Sequence, residues 1–208
     1  MKIDKIGYEP GNIVTLVGTK FVVLDVECCG SLPDILFLLT LESVGDSVFG
    51  ISNNYAESDL KKAVDKWLEN MDKKGLDNAK LVPREIDLTT LDGSGCYGKL
   101  SVKAAPLTLD EAREYTDIIP DAYEDYWLAT GWSGPDKEDR DCALCINTKG
   151  GWDECGCSNS LGIRPALKVS AAIFDCVNGR KPDLSELTID VLLEEIGKRL
   201  KREKENVK

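Results

Sequence analysis

The chain has 208 residues, 42% of them hydrophobic, enough for one large domain with a genuine core or a domain with an appendage. With 37 acidic against 26 basic residues the formal net charge is -11, a surface that repels phosphate backbones and excludes direct nucleic-acid binding as an expectation. Histidine is absent, which rules out Ser-His-Asp and Cys-His nucleophile systems and most imidazole-based zinc hydrolase sites.

Met1-Lys2-Ile3-Asp4-Lys5 leads into no apolar secretion segment. The longest apolar run, Ile35-Leu36-Phe37-Leu38-Leu39, is strand length and far below the roughly 20 residues that span a bilayer. A cytoplasmic protein with no membrane partner is expected.

Residues 13 to 41 read as two strands. Phe21 to Val26 is rich in β-branched residues, and Ile35 to Leu41 is nearly continuous in apolar character, as in a strand covered on both faces. Cys28 to Asp34 between them has turn composition. A helix is predicted from Ser58 to about Lys74. Ser58 is its N-cap, Asp59 sits in the first turn, and Gly75 is the stop. Leu60, Ala63, Val64, Trp67, Leu68 and Met71 recur at helical spacing and should bury against a sheet. Thr108-Leu109-Asp110-Glu111 is a capping box that opens a shorter helix ending well before Pro120.

Several short strands follow. Tyr126 to Thr130 is one, and Ala143 to Asn147 should pair with Trp152 to Cys157 across Thr148-Lys149-Gly150-Gly151. Arg164 to Val169 is the next, with Pro165 implying an edge or a strand start. A C-terminal amphipathic helix begins at Thr188, with Ile189, Leu192, Leu193, Ile196 and Leu200 as its stripe. The domain division expected is 1-182 for an α+β domain and 183-208 for this helix and its basic tail. The helix is a candidate surface for homo-oligomerisation.

The landmarks Asn53-Asn54-Tyr55…Ser58-Asp59-Leu60, Leu107-Thr108-Leu109-Asp110-Glu111, Tyr126-Trp127-Leu128, Asn147-Thr148-Lys149-Gly150 and Gly162-Ile163-Arg164-Pro165-Ala166-Leu167 come in a familiar order. Over roughly residues 10 to 172 the chain resembles a bacterial and phage domain family of unknown function. That family is distantly similar to the formylglycine-generating-enzyme and C-type-lectin-like folds. The resemblance implies a small twisted antiparallel sheet with two packed helices, and long loops that present a binding face to proteins or sugars. It does not carry oxidase activity over, because Pro165 occupies the place of the reactive cysteine and the Trp127-Leu128-Ala129-Thr130-Gly131-Trp132 stretch departs from the family's Trp-Leu-Arg-Ser-Pro-Gly.

Eight cysteines in a chain without an export signal raise a different chemistry. Cys142, Cys145, Cys155 and Cys157 have the outline of a four-thiolate zinc site. Strand geometry opposes it, since residues three apart on a strand point to opposite faces. If Asn147 pairs with Trp152, Cys142 lies opposite Cys157, which allows one close thiol pair. Small buried hydrophobes, a redox-sensitive pair and zinc remain the alternatives. Asp136, Glu138, Asp139 and Asp141 read as a solvated acidic loop, and no calcium motif of EF-hand or lectin type is present.

The candidate ligand-binding residues are Trp132, Trp152, Asp153 and Tyr123, since exposed aromatics are enriched at binding hot spots; Trp127 is expected in the core. Arg164, in an apolar strand, must find a carboxylate or carbonyls and is expected to be a structural anchor. No phosphate loop or dinucleotide fingerprint appears, and no cofactor is expected. Three functions follow as expectations: a non-enzymatic recognition module for a protein or glycan, an acidic phage or host accessory or inhibitor protein docking on a basic intracellular protein (virion-associated if phage-encoded), and a structural or regulatory thiolate zinc protein.

Overall fold

A two-residue turn joins the first two strands described. Val17 and Gly18 both take positive φ, 50° and 80°, so two residues suffice to reverse the chain and the flanking segments pair as a tight hairpin. The computed structural model describes residues 8–28 and 34–174. Two units partition the chain, Met1–Ile173 and Phe174–Lys208, and apart from Phe174 the described residues belong to the first. The helix expected from Thr188 to Leu200 lies outside them.

In chain order the elements are β1 (Ile13–Leu16), β2 (Thr19–Glu27), β3 (Ile35–Thr40), β4 (Asp46–Val48), α1 (Asp59–Lys73), β5 (Leu81–Val82), β6 (Arg84–Asp87), β7 (Lys99–Val102), β8 (Ala104–Ala105), α2 (Leu109–Glu114), β9 (Tyr126–Gly131), β10 (Cys142–Ile146), β11 (Trp152–Gly156), β12 (Ser160–Gly162) and β13 (Ala166–Ser170). Among the described residues the class is α+β, mostly sheet with two α-helices and no barrel. Three sheets replace the one small sheet expected. The first has the order β1-β2-β3-β13-β5, with β8 also pairing β13; the second runs β11-β10-β9-β12-β4; β6 and β7 form a ribbon. The pairing of β12 with β9 is parallel, against the all-antiparallel expectation.

Both helices form where their caps dictate. The Ser58 side chain accepts from the Lys61 N–H at 2.9 Å, and Gly75 leaves α1 at φ 107°, a conformation a Cβ would oppose. Leu60, Val64 and Met71 are buried, whereas Trp67 stays half-buried, at an oblique 6.5 Å from the Phe21 ring. The capping box of α2 is complete on both sides.

The core lies between the first two sheets. Val22, Leu24, Phe37 and Leu39 from one meet Tyr126, Leu128, Leu144 and Ile146 from the other, with Leu107, Leu109 and Ala112 alongside. Each large side chain buried there stabilises the fold by roughly 1.5–3 kcal/mol. Trp127 is fully buried, its indole N–H donating to the Ser47 carbonyl at 2.8 Å. Pro165 starts β13 rather than marking an edge. That strand is interior, paired to β3 on one side and to β5 and β8 on the other. Among the described residues no helix is long and apolar enough to cross a membrane.

Candidate recognition face

The β10–β11 hairpin positions the exposed aromatic. Ile146 pairs with Trp152, and Asn147 closes the turn by accepting from Lys149 and Gly151 N–H groups at 3.0 and 3.1 Å on its side chain. Gly150 at φ 77° supplies the left-handed residue of a three-residue turn. The turn is therefore one residue shorter than expected, and every cross-strand partner moves by one. Cys142 faces Gly156, not Cys157, and Cys145 faces Asp153. A one-residue slip exchanges the faces of a strand, so this correction decides the fate of the thiols.

Cys145 and Cys155 come together, their sulfurs 2.7 Å apart. Cys142 lies on the other face and is engaged by Glu154. Among the described residues no group of three or more Cys, Asp or Glu side chains could hold a metal ion; the four thiols expected as an outline zinc site do not converge. Burial pushes the Cys142 and Cys157 thiols up to about 12 and raises those of Cys145 and Cys155 as well. Thiols held in this way are mostly protonated at neutral pH and react through a small thiolate fraction that grows as pH rises.

Trp152 is 47% exposed at the free edge of the second sheet. The Arg113 guanidinium of α2 lies 5.6 Å from the indole centroid and braces that ring. Arg113 also lines a hollow of about 180 Å³ with Thr89, Thr90, Thr108 and Asp110, so the indole and the hollow share one side chain. Asp153 and Glu154 follow on the same edge strand, both exposed. Tyr123 is 92% exposed, in a loop tied to the hairpin where Asp125 Oδ1 accepts from the Thr148 N–H at 3.0 Å. Trp132 does not join this face: it is half-buried and, like Leu91 and Tyr115, packs against the core cluster. It is flanked by Gly131 and, two residues on, Gly134. Gly131 serves close packing, since a Cβ there would sit 2.9 Å from Asn53 atoms. The acidic residues Asp136, Glu138, Asp139 and Asp141 are all exposed.

Arg164 is 1% exposed. Its Nε donates to the Thr40 carbonyl at 3.0 Å and Nη1 to the Pro120 carbonyl at 3.5 Å. The guanidinium stacks 4.6 Å from the Tyr126 ring centroid. Its partners are thus carbonyls and a ring, and through Pro120 it holds the start of the loop that carries Tyr123.

Two buried polar residues hold roles that the sequence did not announce. Arg84, 5% exposed, bonds Glu111 and the carbonyls of Ala105 and Pro106 at 3.0 and 3.1 Å. The alternation Arg84-Glu85-Ile86-Asp87, buried and exposed in turn, is the signal that places this arginine on the inner face. Asn53 is 1% exposed, and nothing local marks it. A groove of about 420 Å³, lined by Lys20, Ser43, Trp67, Asn70 and Lys74 among others, also escaped notice, because Trp67 was assigned to the core. Comparison with known protein families, curated proteins and solved structures returns no match.

Proposed function

We propose that the chain is a non-enzymatic recognition module that binds a glycan through the face built on Trp152. The observation that carries this is the half-exposed indole braced by Arg113 and continuous, through that arginine, with a hollow edged by threonine hydroxyls and carboxylates. A flat apolar ring beside fixed donors and acceptors suits a sugar, which has one apolar face and a hydroxyl rim. Tyr123 extends the face from the loop tied to the hairpin, Asp153 alternates to the other side of β11 and stands apart from it, and Arg164 holds the loop behind it. The lack of histidine and the raised thiols support a binding role over catalysis. This reading includes the C-type-lectin-like assignment suggested by the Gly162-Ile163-Arg164-Pro165-Ala166-Leu167 resemblance, a cytoplasmic location and self-association through the segment from Thr188.

The test is a screen of immobilised glycans with the full chain and with Trp152→Ala and Arg113→Ala. A hit that weakens at least tenfold in Trp152→Ala, while the far-UV spectrum and Tm stay within about 2 °C, supports the reading. No glycan bound, or equal binding by Trp152→Ala, overturns it.

A second reading, docking onto a basic protein, is favoured by the exposed acids at Asp136, Glu138, Asp139, Asp141, Asp153 and Glu154. Steered association of this kind weakens steeply with salt. Retention on a basic protein that is lost on neutralising Asp136 to Asp141 would favour it over the glycan.

A further inference from the structure

We infer that Cys145 and Cys155 form a thiol-oxidation site, closing to a reversible cross-strand disulfide on reaction with a low-molecular-weight disulfide. The inference does not depend on what the Trp152 face binds.

The two sulfurs are in contact at 2.7 Å. Cys145 sits opposite Asp153 and Cys155 opposite Ala143, so the two cysteines are diagonal neighbours on one face of the hairpin. Bridging such a diagonal asks the backbones to give a little. β11 is the edge strand of its sheet, paired only to β10, and it can shift without breaking a second ladder. The roles of the two thiols differ. Cys145 is 1% exposed while Cys155 is half-buried and can meet a reagent. Burial, with Asp153, Asp125 and Glu154, holds the Cys155 thiol above its ordinary range, and the Cys145 S–H offsets part of this by donating to it. Among the described residues the other thiols lack this arrangement. Cys142 lies on the opposite face, and Cys28 and Cys96 are exposed.

The chemistry balances in two exchanges. Cys155 Sγ gives its proton to solvent and attacks one sulfur of the small disulfide. A mixed S–S bond forms, the reagent's own S–S bond breaks, and one small thiolate leaves and takes up a proton. Cys145 Sγ then loses its proton and attacks Cys155 Sγ, forming the intramolecular bond and expelling the second small thiol. Two protein thiols are oxidised and one small disulfide is reduced to two thiols. The product ties the edge strand that carries Trp152 and Asp153 covalently to β10.

The full chain, equilibrated in oxidised glutathione, blocked with N-ethylmaleimide and cut with trypsin, gives a direct readout. Lys149 separates the two cysteines, and trypsin does not cut before Pro165, so the bond links peptide 141–149 to peptide 150–168, and fragmentation locates it. The expected result is a Cys145–Cys155 link that disappears with dithiothreitol, forms roughly tenfold faster for each pH unit between 7 and 8 as the thiolate fraction grows, and raises Tm by several degrees. Cys145→Ala and Cys155→Ala abolish it; Cys142→Ala and Cys157→Ala keep it. The map of the unmutated chain decides even if a variant fails to fold. Recovery of both sulfurs as maleimide adducts overturns the inference. So does a glutathione adduct that stays on Cys155, or a Cys142–Cys157 link in place of the expected one.

Discussion

The Tyr97 hydroxyl donates to Asn53 Oδ1 across 2.7 Å, and through that amide it reaches the whole loop after β9. Asn53 Nδ2 donates to the carbonyls of Ser133 and Cys142 at 2.9 and 3.0 Å, and its backbone N–H donates to the Arg140 carbonyl at 3.0 Å. One buried side chain thus fixes both ends of the acidic loop. Asn53→Ala is expected to cost about 2–4 kcal/mol, because it leaves buried groups unbonded. Asn53→Asp should cost more, since a carboxylate offers no donor to two carbonyls and brings a charge inside. Tyr97→Phe should cost about 1 kcal/mol. Urea unfolding of the three variants checks the order; an Asn53→Asp protein as stable as the parent would contradict it.

Glu111 serves two structures at once. One oxygen accepts from the Thr108 N–H at 2.8 Å to close the capping box, and the other takes the buried guanidinium of Arg84. Removing it strands a cation in the interior, which costs about 3–5 kcal/mol. Glu111→Ala is therefore expected to lower Tm on the order of 10 °C, and Glu111→Gln, which can still cap, to lower it less. Calorimetry on both variants is the check, and equal losses would show that the cap contributes nothing.

Val17 at φ 50° is a β-branched residue in the left-handed region, where its Cβ crowds the backbone. Asparagine tolerates that conformation and suits the first position of a two-residue hairpin turn. Val17→Asn is expected to stabilise the protein by about 0.5–1 kcal/mol, less whatever apolar contact the half-buried valine provides. A shift of the denaturation midpoint to lower urea would refute this.

What could be seen in the sequence was local. Ser58, Thr108 and Glu111 announce helix starts because capping is a contact within four residues. The Asn147–Gly151 turn announces a hairpin, but its register depended on one glycine, Gly150, taking the left-handed position, and that moved every thiol partner. Sheet membership stayed hidden. β12 lies beside β9 and β13 beside β3, pairings with no local signal because the partners are brought together only by the finished core. At the candidate face, Trp152 was found by its surroundings of glycine and charge. Its support from Arg113 was not, since a ring on one element and a guanidinium on another share nothing in the sequence.

The interior place of β13 has a consequence for how the protein is made. β3 finds β2 as soon as the ribosome has released it, but its second edge, carrying Leu36 to Leu39, stays open until Ala166–Ser170 appears. About 125 residues of synthesis lie between them, on the order of ten seconds at typical elongation rates. For that interval the nascent chain exposes an apolar strand edge of the kind that seeds aggregation. The yield of active protein should therefore depend on elongation speed and on chaperones that shield this edge.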